Sequence, residues 1–208
     1  MEALPKKLLP LILFGIAVTS LFSVQPAQGY TVTLEQVGSN VVANGSGAFN
    51  LTGLTLQGSF QGSGHGIEAS LSLIFMGDGL QTATDRYTGF TGPTSFGPGG
   101  FFSATTGSGD FVALRSIFNF LFVPTGYDSG DALSDSLTFN NATFASLGVT
   151  PGTYVWSWGT GLPNQNFTLV IGGVGVPDGG STVSLLGVAL LGLTALRCKF
   201  PLLRGTKS

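Results

Sequence analysis

Cysteine, histidine and charge are all scarce in this chain: 208 residues contain one Cys, one His and only 9% charged residues. The lone cysteine, Cys198, closes no disulfide within the chain, so stability must come from packing and strand pairing. The lone histidine, His65, falls well short of the three or four ligands that zinc requires. Nor does it suit a Ser-His-acid relay, which needs an imidazole held firmly between nucleophile and carboxylate. His65 lies in Gly62-Ser63-Gly64-His65-Gly66, a run that reads as an exposed loop. Cations are rarest of all in the middle of the chain. Between Tyr30 and Gly175, eight acids (Glu35, Glu68, Asp78, Asp85, Asp110, Asp128, Asp131, Asp135) face only Arg86 and Arg115, a net charge of −6. Phosphate backbones are held by clustered Lys and Arg, so nucleic-acid binding is excluded.

Helix-forming Lys, Glu and Gln at 3.6 spacing are absent from the same region, and short alternating runs take their place. Thr31 to Leu34, Leu54 to Leu56, Ala69 to Leu73, Leu137 to Phe139 and Phe167 to Ile171 read as strands. Val112 to Val123, more continuously apolar, reads as one strand buried on both faces. Asn44-Gly45-Ser46-Gly47, Gly62-Ser63-Gly64, Gly97-Pro98-Gly99-Gly100, Pro124-Thr125-Gly126 and Pro151-Gly152 read as turns. A single helical turn is expected at Phe144 to Leu147. Residues 30–175 therefore form one all-β domain, a single antiparallel β-sandwich or barrel-like body.

Residues 1–29 have the order of a secretory signal peptide: Lys6 and Lys7, an apolar stretch from Leu8 to Phe22, and small residues in Ala27-Gln28-Gly29. Cleavage by signal peptidase is expected between Gly29 and Tyr30.

The other end, 176–208, has three parts. Val176-Pro177-Asp178-Gly179-Gly180-Ser181-Thr182 is a turn-forming link that also supplies a helix cap. An uncharged apolar run follows, expected as a membrane-spanning helix over about 181–196. Counted from Gly179 to Leu196 it is 18 residues, roughly 27 Å of helix, which just reaches across a bilayer. The basic end, 197–208, carries Arg197, Lys199, Arg204 and Lys207 and no acid. Such cations hold that end in the cytoplasm and place the body outside the inner membrane.

These residues resemble C-terminal sorting signals of the PEP-CTERM type, in the variant written Val-Pro-Asp-Ser-Gly-Ser-Thr. The chain departs from it once, with Gly179 in place of Ser. The resemblance implies a substrate of exosortase, an integral-membrane cysteine protease of Gram-negative bacteria, and delivery of the body to the cell surface or extracellular matrix. A plain tail anchor with a polar linker is the alternative, in which Asp178 merely solvates a turn. Three body segments, Gly38 to Gly47, Gly92 to Gly97 and Phe144 to Trp158, also resemble secreted proteins bearing this tail. That likeness bears on fold and destination and carries no activity.

Catalytic chemistry is poorly provided for in the body, and no enzyme, cofactor or metal site is expected. Asp78 with Asp85, or Asp128 with Asp131 and Asp135, have the residue types for glycoside cleavage, but aspartates in glycine-rich loops more often make turns. Asp128 to Asp131 has oxygen ligands of the kind calcium takes, without their ordered spacing. Tyr154, Trp156 and Trp158 alternate and so share one strand face. Exposed, they would stack on sugar rings of an exopolysaccharide, as in a carbohydrate-binding or adhesive module; inside a sandwich they are core, with Val155 and Ser157 outside. An ice-binding body is a further alternative, but no regular threonine repeat in the sequence builds a flat face.

Overall fold

The computed structural model describes residues 29–172. In chain order its strands are β1 (Tyr30–Val37), β2 (Asn40–Gly47), β3 (Thr55–Gly62), β4 (Gly66–Glu68), β5 (Leu73–Phe75), β6 (Thr82–Thr88), β7 (Phe101–Ser103), β8 (Thr106–Gly109), β9 (Ala113–Arg115), β10 (Phe120–Pro124), β11 (Leu133–Phe139), β12 (Gly152–Ser157) and β13 (Asn166–Ile171). One helical turn, α1 (Phe144–Leu147), stands where it was expected. Thr143 Oγ1 accepts the Ser146 N–H while Ser146 Oγ accepts the Thr143 N–H, a reciprocal cap that starts the turn; Gly148, at φ 63°, ends it.

Two sheets result, ordered β12-β13-β1-β2-β11-β8 and β3-β6-β10-β9-β5-β4-β7. Alternation fixes which side of each strand faces inward. Along β1, Tyr30, Val32 and Leu34 are buried while Thr31, Thr33 and Glu35 look outward. Together with Leu169 of β13 they meet Ile74, Leu114 and Leu121 of the other sheet in one core. The architecture is a two-sheet sandwich and not a closed barrel. One pair departs from antiparallel order: β1 runs parallel to β13, with Tyr30 opposite Phe167 and Leu34 opposite Ile171.

Three sequence expectations fail for identifiable reasons. Val112 to Val123 is not one strand but a hairpin, β9 to β10, because Ser116–Phe118 forms a 3-10 turn and Asn119 takes the left-handed conformation at φ 57°. The expected strand at Ala69 to Leu73 is the same device. Ala69–Leu71 turns, Ser72 is left-handed at φ 49°, and β4 and β5 are the arms. The two hairpins pair through β5 and β9, and their loops are joined by the Ser116 N–H donating to Ser72 O at 3.1 Å. Asn44 to Gly47, expected as a turn, lies inside β2. Gly45 is there for its missing side chain: a Cβ at that point would run into Asp135 Oδ1 and the Tyr30 hydroxyl.

Candidate functional site

Of the residues singled out in the sequence, Val176 to Thr182 and Arg197, Lys199 and Arg204 lie outside the described residues, as do the apolar run and most of the signal region. Gly29 and Tyr30, the expected cleavage point, are inside. Gly29 bridges to Ala48, and Tyr30 is the first residue of β1, with no exposed surface. A protease needs its substrate extended and accessible. Cutting at this bond therefore requires β1 to be out of the sheet.

Tyr154, Trp156 and Trp158 do share a face, but it points into the sandwich. Trp156 is fully buried and Trp158 nearly so, while Val155 and Ser157 face out. The Trp156 indole N–H donates to Pro93 O at 2.8 Å and that of Trp158 to Asn50 O at 2.8 Å, which satisfies both polar handles internally. Tyr154, partly buried, packs edge-on to Phe96. No ring face of the two indoles remains for a sugar, so the stacking role is withdrawn from this row.

His65 is not the exposed loop residue the sequence suggested. It is half-buried, fitted against Gly79 and Gly107, where an added Cβ would touch its ring, and its Nδ1 has no hydrogen-bond partner. The aspartates mostly brace turns. Asp78 Oδ1 accepts the Leu80 N–H, Asp85 accepts from Ser59 Oγ and the Gly126 N–H, and Asp110 accepts the Ser134 N–H. The Asp85 carboxyl titrates lower than usual because of those donors, Ser59 first. Ser129 Oγ accepts the Leu51 N–H, and Asp128 O closes a turn onto the Asp131 N–H. Among the described residues no three His, Cys, Asp or Glu side chains are grouped to hold a metal ion.

Two arrangements were not visible in the sequence. The first is a buried pair across the six-stranded sheet, in which the Tyr30 hydroxyl donates to Asp135 Oδ2 at 2.6 Å while Asp135 Oδ1 has no partner. Burial, with Asp110 nearby, pushes the Asp135 carboxyl up to about 7 against the pull of the Tyr30 hydrogen bond.

The second arrangement is on the outer face of the seven-stranded sheet. Phe111, Ala113 and Phe122 form an apolar cluster separate from the core, flanked by Phe75 and Phe120. Both arginines of the body lie among these rings. The Arg86 guanidinium sits 3.7 Å from the Phe60 ring centre and 4.2 Å from that of Phe120. Arg115 sits 4.7 Å from Phe118 and 5.9 Å from Phe75. Strand pairing brings them together, since Arg115 lies opposite Phe120 and Arg86 opposite Phe122. The only sequence signal was the period-two spacing of Phe118, Phe120 and Phe122. A cleft of about 200 Å³ opens beside Arg115, with Gly62 at its wall.

The described body stops at Gly172, and residues 175–200 match the family model of the VPDSG-CTERM motif. The chain carries a VPDSG-CTERM sorting signal. That signal begins four residues after the last strand residue, Ile171, and spans the Val176 to Thr182 motif, the apolar run, Arg197 and Lys199, with Arg204 beyond it. The Gly179 departure does not prevent the match. No curated protein and no solved structure matches the chain. Among the described residues no helix is long and apolar enough to cross a membrane; the span expected over 181–196 lies outside them. A VPDSG-CTERM signal is consistent with export and a surface or extracellular fate.

Proposed function

We propose that this is a non-enzymatic protein of a Gram-negative cell surface or extracellular matrix, delivered there through its VPDSG-CTERM signal. The N-terminal segment starts export and is removed by signal peptidase. The apolar run then halts in the inner membrane with Arg197 and Lys199 on the cytoplasmic side. An exosortase-like membrane protease reads Val176 to Thr182 and releases or transfers the body. The observation that carries this reading is the match over residues 175–200 placed directly after a self-contained two-sheet body.

Separate tags on the body and on the extreme C-terminus test it in the producing cell. Processing predicts that the two tags part in the wild type and stay together when Pro177 and Asp178 are changed to alanine. Tags that remain on one polypeptide in the wild type would leave a simple tail anchor and sink the proposal.

A further inference from the structure

We propose that the outer face of the seven-stranded sheet binds an acidic polysaccharide, a polyuronate, with the cleft beside Arg115 taking one carboxylate-bearing sugar. This site is distinct from the buried Tyr154–Trp156–Trp158 row and does not depend on how the tail is processed.

Charge distribution is the first support. The body's net charge of −6 opposes a polyanion everywhere but on one face, where both of its cations lie among rings, with Glu68 two strands away from Arg115. The Nε of each is buried without a hydrogen-bond partner. Stacking on rings orients each guanidinium plane and, with Nε buried, leaves the terminal Nη donors to meet a planar anion, which a carboxylate matches end-on in bidentate fashion.

The lining of the cleft narrows the chemistry. Phe75 supplies partly exposed ring surface over the nearly buried Phe111 and Phe122, Arg115 a cation, and Gln61 and Ser63 neutral polar groups. Sites of this kind are largely apolar with a few orienting polar groups. A pyranose carrying a carboxylate uses all three sets: its C–H face on the rings, its carboxylate on the guanidinium, its hydroxyls on the amide and hydroxyl. A neutral sugar leaves the cation idle, an inorganic anion leaves the rings idle, and an aromatic acid leaves Gln61 and Ser63 idle.

Arg86 extends the site beyond one sugar. Strand β10 separates β9, which carries Arg115, from β6, which carries Arg86. Two strand spacings put them roughly 10 Å apart across the sheet. The exposed rings of Phe60, Phe101 and Phe118 continue the surface on either side, and contiguous exposed apolar surface of this sort marks interaction sites. Acidic sugars two residues apart on one chain therefore meet the two arginines.

Calorimetric titration of the full chain in mild detergent with an oligogalacturonate, and with its fully methyl-esterified form, tests the proposal. Binding of the acid form is expected, at least about tenfold tighter than the ester and weakened by added salt. Arg115→Met should weaken it about tenfold to a hundredfold, as loss of a charge-assisted contact does. Arg115→Lys, which keeps the charge and most of the stem, should give an intermediate value and carries the test if the Met variant does not fold. Absence of binding by the wild type, equal binding of the ester, or an affinity unchanged in both variants overturns the proposal. So does sedimentation showing a dimer that Phe118→Asp, on this face, dissociates.

Discussion

The Tyr30 phenol reaches Asp135 because Gly45, next to both on the neighbouring β2 strand, has no Cβ to stand between them. Burial at this position takes the carboxyl out of water, and its proton is held more tightly as a result, even though the Tyr30 hydrogen bond favours the ionised form. In the unfolded chain that proton leaves near 3.8, and in the folded chain near 7. Between those values the folded state binds more protons than the unfolded one, so stability falls as pH rises. The contribution is fully present below about pH 4 and is lost on passing through 7. Thermal melts of the wild type should show that decline. Asp135→Asn, which keeps an acceptor for Tyr30 but has no proton to lose, should flatten it and melt above the wild type at pH 8. A wild-type melting temperature that rises from pH 4 to 8, with the variant unchanged, would show that the carboxyl is ionised in the fold.

The paired hairpins β4–β5 and β9–β10 rest on left-handed residues that are not glycine. Asn119 suits the position: its side chain donates to Phe90 O at 2.6 Å and accepts the Gly89 N–H at 2.7 Å. Asn119→Ala removes both bonds and with them the side-chain support that lets Asn hold the left-handed conformation at φ 57°, a loss of about 2–4 kcal/mol by urea denaturation. Ser72, the counterpart, has a buried hydroxyl with no partner, so Ser72→Gly should be neutral or stabilising by up to about 1 kcal/mol. A large destabilisation there would mean that the hydroxyl is satisfied after all. These turns also explain where sequence reading stopped. β1, β11 and β13 were legible because one face of each is buried and the period of two survives. The hairpin at Val112 to Val123 was hidden because its bend uses Asn119 in place of Gly or Pro. Asn44 to Gly47 misled in the opposite direction, since Gly45 serves a close approach and not a bend. The tail was readable because its signal is linear. The Arg–Phe face was not, because Arg86 and Phe122 become neighbours only through pairing of β6 with β10. Likewise, no local pattern foretells that β1 will lie beside β13.

That distant pairing also governs the order of events in the life of the whole chain. Tyr30 is fully buried and in register with Phe167, so if signal peptidase cuts between Gly29 and Tyr30 as proposed, the cut must come before the last strand docks. A refolded precursor in detergent should resist purified signal peptidase at the bond between Gly29 and Tyr30, and the same precursor loosened in urea should be cut. Equal cutting of both forms would mean that β1 detaches readily from its neighbours. The arrangement matters after folding as well. β1 and β13 run the same way side by side, yet the chain enters at the Tyr30 end of the pair and leaves at the Ile171 end. A pull on the two termini therefore slides one strand along the other, and the five register pairs share the load instead of parting one by one. In mechanical terms the first and last strands form a shear clamp, so a body gripped at one terminus and dragged at the other is braced along its strongest direction.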